Sequence, residues 1–243
     1  HNFIMTKRQF VIGDIHGEVK ALDALITSLK LTPQDEVIFL GDLVDKGAQS
    51  KQTLDYLIDL SRRHTCIFVR GNHEEMMLAT LNGNQRAQDI WLRHGGRPTL
   101  LSYSADNVED LKQKIPASHI AFLKATVQAY LTDTHVFVHA GWDTRKALSE
   151  QSPGTLRYRF MNAVFPDKTF GKTIVCGHSS LMTGKPAAKG NILCIDTIEY
   201  GWLTAFETTR AIFTQANAAG RVRTLKKPEK FTQKRHVPKI HRN

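Results

Sequence analysis

The stretch GDLVDKG (41–47) places two carboxylates, Asp42 and Asp45, three residues apart, with the ammonium of Lys46 beside the second. It directly follows an apolar run, 36–40. Four more apolar runs end in the same manner. The run 10–12 leads into GDIHG with Asp14 and His16, and 66–69 leads into RGNHEE with Arg70, Asn72 and His73. The runs 136–138 and 173–176 lead into His139 and His178. One Asp-x-His is ordinary turn composition, since Gly and Asp serve turns freely. Five such ends in one chain point to chemistry. Asp, Asn and His without a thiolate suit divalent ions such as manganese, iron, zinc or nickel. His and Asp are also the groups that move protons near neutral pH.

The elements that must hold these residues are legible in the apolar spacing. After GDIHG, Leu22, Leu25, Ile26 and Leu29 recur at helical period, and Thr32-Pro33 ends that helix. After GDLVDKG, Leu54, Leu57 and Ile58 mark a second helix that closes on Arg62 and Arg63. The first seventy residues thus alternate strand and helix, which predicts a parallel sheet with right-handed crossovers. Ligands collect beyond the carboxyl ends of such strands. Segments 87–96 and 119–131 read as helical. Segments 192–196, 202–207 and 210–215 read as further strands. Trp91, Tyr103 and Trp142 are expected to be packed in the core and not at the mouth of a site.

A chain of 243 residues can bury a full core, and one domain is the simplest reading. No apolar run is long enough to span a bilayer. Cys66, Cys176 and Cys194 sit inside strand-like runs and read as reduced, buried thiols, which suits a cytoplasmic location. Residues 1–4 precede Met5 and read as a tag remnant, leaving a catalytic domain over 5–220. The net charge of +10 is uneven: from Arg221 on, nine Lys/Arg face one acid. Residues 221–243 therefore read as a basic C-terminal tail, more a solvated extension than a nucleic-acid-binding arm.

Taken in order, GDIHG, GDLVDKG, RGNHE, HAG and GH resemble the signature set of the phosphoprotein phosphatase family of calcineurin-like metallophosphoesterases, in its bacterial serine/threonine phosphatase form. The later segment CIDTIEYGWLTAFE is similar to that family's C-terminal strands. The resemblance implies an α/β fold in which mixed sheets form a β-sandwich flanked by helices. It also implies two divalent metal ions, with manganese first among the candidates. Asp14 and His16 would hold one ion. Asp42 would bridge both, and Asn72, His139 and His178 would complete the second. His73 would be the general acid, oriented and kept protonated by Asp45, although Asp45 could also simply cap the next helix. Arg70, Lys46 and one of Arg157 or Arg159, with Arg157 preferred, would contact phosphate. Lys46 departs from the arginine usual at its position, and Ile198 and Trp202 replace glycines, which could reshape one wall. Glu74 and Glu75 read as acids favoured by a helix N-terminus. The implied function is hydrolysis of phosphoserine or phosphothreonine, of phosphotyrosine if the cleft is shallow, or of a small phosphate ester, by a monomer. The alternative is a dinucleoside polyphosphate hydrolase. GNHE favours the first and Lys46 lends weight to the second.

Overall fold

The computed structural model describes residues 7–231. Its strands are β1 (Gln9–Ile12), β2 (Glu36–Phe39), β3 (Thr65–Phe68), β4 (Ala129–Leu131), β5 (His135–Val138) and β6 (Thr173–Cys176). They continue with β7 (Ala187–Lys189), β8 (Ile192–Cys194), β9 (Leu203–Glu207), β10 (Ile212–Ala216), β11 (Val222–Leu225) and β12 (Glu229–Lys230). Two mixed sheets result, in the orders β11-β10-β9-β1-β2-β3 and β12-β7-β8-β6-β5-β4. The expected parallel trio β1-β2-β3 forms half of the first sheet. In the second sheet β5, β6 and β8 run parallel to one another.

The apolar runs are continuous because these strands are covered on both faces. Val11 and Ile38 of the first sheet meet Phe137, Val175 and Leu193 of the second in the layer between the sheets. Their neighbours Phe10, Ile12, Val37 and Phe39 face the other way. They pack under α1 (Val19–Leu29) and α2 (Ser50–Arg63) with Leu22, Leu25 and Leu57. A third cluster packs among α3 (Asn72–Leu81), α4 (Gln85–Trp91), α5 (Arg97–Ser102), α6 (Val108–Lys114) and α7 (Ala117–Ala125), around Met77, Trp91, Leu111 and Leu123. The short α8 (Pro153–Tyr158) lies over the outer face of the second sheet through Leu156.

Three sequence expectations change. Segment 119–131 is not one helix: α7 stops at Ala125, Val127 bridges Val69, and 129–131 pair antiparallel with β5. The open sheet edge overrides the helical spacing there, with β-branched Thr126 and Val127 already favouring an extended chain. Segment 87–96 is helical only to Trp91, after which Leu92–Gly96 widens into a π-type turn with Gly95 at φ 111°. Finally, the boundary at residue 220 does not mark the end of the sheets. Val222–Leu225 pairs with β10 and Glu229–Lys230 with β7. Positive charge on these residues is what an edge strand carries to discourage further pairing. The tag reading of 1–4 and the basic residues after 231 lie outside the described residues.

Candidate active site

The carboxyl ends of β1, β2, β3, β5 and β6 point to one rim, so the five predicted loops meet there. They are laced by backbone hydrogen bonds. The Asp42 carbonyl accepts from the N–H of Ile15 and His16 (3.0 and 2.9 Å), and the His139 carbonyl accepts from Gly177 (2.8 Å). Turning this sharply after a strand forces strained backbone. His16, Asp42, Asp45, Lys46 and His178 all have positive φ, between 48° and 72°. Each such residue costs on the order of 1–3 kcal/mol, and strain of this kind gathers at functional sites. Gly71 is required for another reason: a Cβ there would overlap Asp42 Oδ1 and the Asp42 backbone nitrogen.

The side chains converge around Asp42. Its Oδ2 lies 3.6 Å from His16 Nε2, and its Oδ1 lies 3.4 Å from His139 Nε2. His16 Nδ1 donates to the Val44 carbonyl (3.1 Å) and His139 Nδ1 to the Leu40 carbonyl (2.8 Å). A carbonyl only accepts, so each ring carries its proton on Nδ1. Burial lowers the pKa of both rings, His16 to about 3. Neutral rings therefore aim bare Nε2 lone pairs at a buried carboxylate. His178 Nε2 is buried with no hydrogen-bond partner, and burial with His139 nearby lowers its pKa to about 4. Acceptors facing acceptors in a dry site are costly unless a cation lies between them. Ligand-type atoms of Asp42, His139 and His178 fall within 4.8 Å of one another, as do those of His16, Asp42 and His73. The Asn72 Oδ1 atom, 3.0 Å from His139 Nε2, adjoins the first group. These donors fit divalent cations.

His73 behaves differently from the other histidines. Its Nδ1 is 2.8 Å from Asp45 Oδ2 and its Nε2 is 3.9 Å from Asp42 Oδ2. Burial opposes charge on this ring, but the Asp42 carboxylate and the Asp45 hydrogen bond outweigh it and raise its pKa to about 9. Of the site histidines, His73 alone is pushed toward its protonated form. Asp45 is fully buried and does not cap α2, whose first residue is preceded by Gln49. Its Oδ2 also accepts from Trp91 Nε1 (2.7 Å), and its Oδ1 from Thr99 Oγ1 (2.6 Å).

Asp14 belongs to neither metal-type group, where the sequence reading had it beside His16. Its carboxylate accepts from the His178 backbone N–H (3.1 Å). Burial and the nearby Asp196 and Asp42 carboxylates raise its pKa well above the usual carboxylate range. This concentration of buried acid is a further reason for a cation to bind.

The three cations expected to meet phosphate all have protein partners. Lys46 pairs with Glu199. Arg157, the buried member of the Arg157/Arg159 pair, donates Nε and Nη2 to the two oxygens of Glu75 (3.0 and 2.6 Å) and Nη1 to Gln128. Arg70 donates Nε to Thr126 Oγ1 (2.8 Å) and Nη2 to the Lys124 carbonyl (2.8 Å). Unpaired guanidinium groups this close to the core would be costly.

Several site residues went unread in the sequence. Glu74 is not a mere dipole acid: it accepts from the backbone N–H of Gly71, Asp42 and Leu43 (2.8, 2.9 and 2.7 Å) and so sets the GDLVDKG turn. Its place three residues after a Gly at a helix start was the available signal. Trp91 is packed in the core as expected, and its bond to Asp45 is the part that went unread. Glu199 had no signal. Of the two bulky neighbours, Ile198 packs into the core under α1, and Trp202 lies under Arg223.

Comparison with known proteins bears on the family and the fold. Residues 8–182 match the family described as Calcineurin-like phosphoesterase. Among curated relatives, a PP2A-like serine/threonine-protein phosphatase PPG1 of Candida albicans is 35% identical over 91 residues, covering 33% of this chain and 22% of that protein. A symmetrical bis(5'-nucleosyl)-tetraphosphatase of Marinomonas sp. is 29% identical over 57% of this chain and 47% of its own length. The chain thus spans less than half of these curated relatives. Among solved structures, a putative diadenosine tetraphosphatase aligns with TM-score 0.61 and 19% identity over 93% of this chain and 95% of that one. A cold-active protein tyrosine phosphatase aligns with TM-score 0.63 and 15% identity over 90% and 78%. Both show likeness of fold.

Proposed function

Because this chain belongs to the calcineurin-like phosphoesterase family, we propose that it is a dimetal phosphomonoesterase acting on phosphorylated serine and threonine side chains. The observation that carries this reading is the His73 ring, held 2.8 Å from the buried Asp45 carboxylate beside clustered ligand-type atoms that fit cations. Asp14, His16 and Asp42 would hold one ion, and Asp42, Asn72, His139 and His178 the other. Two such ions, when bound, acidify water and draw charge from the phosphoryl oxygens. Asp42 suits the bridging place because each of its oxygens faces a different histidine.

The rest falls to the protein's own groups. His73 Nε2–H gives its proton to the leaving oxygen, while Asp45 fixes the ring through Nδ1. Lys46, Arg70 and Arg157 form the cationic wall for the phosphoryl group, with Lys46 leaving Glu199 when a phosphate arrives. A lysine supplies charge without the two-donor fork of arginine. Manganese is the metal of first choice for such a donor set, and a monomer is the simplest assembly.

A second reading, hydrolysis of dinucleoside polyphosphates, is favoured by the tetraphosphatase named above and by Lys46. Assay of a phosphoserine peptide and diadenosine tetraphosphate side by side with manganese separates the two. The first reading expects turnover of the peptide at the higher kcat/KM. Turnover of the dinucleotide alone would replace it with the second.

A further inference from the structure

Immediately beside His178, the structure carries an aromatic side chain with no assigned task. The Phe160 ring stacks on the His178 ring with centroids 4.8 Å apart and planes 27° from parallel. Phe160 is nonetheless 57% exposed, so one face rests on the site histidine and the remainder opens to solvent. The ring is held in place: the next residue, Met161, donates its N–H to Ser179 Oγ (2.8 Å), one residue past His178. Tyr158, also exposed, anchors its hydroxyl on Glu75 Oε2 (2.9 Å), next to Arg157. Phe160 thus presents an apolar face that is held in place beside the candidate site.

We propose that Phe160 is a specificity-determining residue, a platform on which the aromatic ring of an aryl phosphate ester stacks while its phosphoryl group sits at the metal centre. The inference rests on the phosphomonoesterase reading and assigns a residue to the phenolic esters, such as phosphotyrosine, that a shallow cleft admits. The short reach decides the class. Phe160 lies against His178 itself, so it meets a ring joined directly to the ester oxygen, whereas a nucleobase stands a ribose further away. Offset stacking of this kind adds selectivity on the order of 5- to 10-fold.

The test is binding of phenylphosphonate and methylphosphonate to the manganese-loaded full chain by calorimetry. Wild type should prefer the phenyl compound by about 5- to 10-fold. Phe160→Ala should bring the ratio close to one, and Phe160→Trp should restore it. An equal loss for both ligands would make Phe160 a support for His178 and overturn the proposal, as would an unchanged ratio or no binding of either. Adenosine 5'-monophosphate serves as the nucleobase arm, and a loss confined to it would also overturn the proposal. In parallel, matched phosphotyrosine and phosphoserine peptides are assayed. If neither is hydrolysed while the phosphonate ratio still collapses in Phe160→Ala, the substrate reading has failed and the platform stands.

Discussion

Asp45 makes its three side-chain bonds to residues drawn from three different helices: His73 at the start of α3, Trp91 at the end of α4 and Thr99 in α5. Fixing a carboxylate from three sides fixes the imidazole it holds, and positional precision is what a general acid needs. Replacing Asp45 with Asn should keep the fold but remove the charge that holds the proton on His73. We expect kcat on a phosphate ester to fall about 100- to 1,000-fold with little change in KM. A drop in KM affinity with kcat preserved would show that Asp45 serves substrate binding instead. Glu199 offers the opposite kind of test. Its carboxylate occupies Lys46, the cation that the proposed function gives to the phosphoryl group. Glu199→Gln should free the ammonium and lower KM, and inorganic phosphate should inhibit several-fold more tightly. A raised KM would mean that Glu199 positions Lys46 for substrate rather than competing for it.

Among the elements, the C-terminal strands carry more than their charge suggests. Strand β11 closes the first sheet against β10, pairing Phe213 with Leu225 and Ala216 with Val222. Arg223 lies 3.9 Å from the centroid of Trp202 and donates Nη2 to the Gly184 carbonyl (2.8 Å). That clasp ties β11 to the loop between β6 and β7 and to the segment bearing Glu199. Truncation after Ala219 strips both β11 and β12. The melting midpoint should drop by roughly 5–15 °C, as expected if about 3 kcal/mol is lost from a domain of this size. Circular dichroism melts of the two chains measure it. An unchanged midpoint would show that the edge strands add nothing to the fold.

Across the whole molecule, the two sheets are joined by apolar packing between them and by the site at their common rim. His139 and His178 come from the second sheet, and Asp14, His16 and Asp42 from the first, so a cation shared among them is also a bond between sheets. Excess manganese should therefore raise the midpoint, by roughly 5–10 °C at a hundredfold excess over the dissociation constant. Chelation should return it and abolish hydrolysis. A midpoint indifferent to manganese would remove the metal reading and with it the proposed function.

Much of this was legible from the chain itself, and the limits fall along physical lines. Strand and ligand are neighbours in sequence, so an apolar run buried on both faces announces the strand, and the next residues announce what its end can hold. The strand ends that carry Asp14, His16, Asp42, Asn72, His73, His139 and His178 were readable in this way. Contacts between distant segments leave no such periodic trace. Trp91 meets Asp45 across 46 residues, Glu75 meets Arg157 across 82, and Glu199 meets Lys46 across 153. Only packing decides those partners, because they are chosen by which surfaces the two sheets and the helical layer bring together. For the same reason the sheet edge claimed residues 127–131 from a helix and 222–230 from a supposed tail: an unpaired strand edge recruits whatever chain passes it, whatever the local spacing favours.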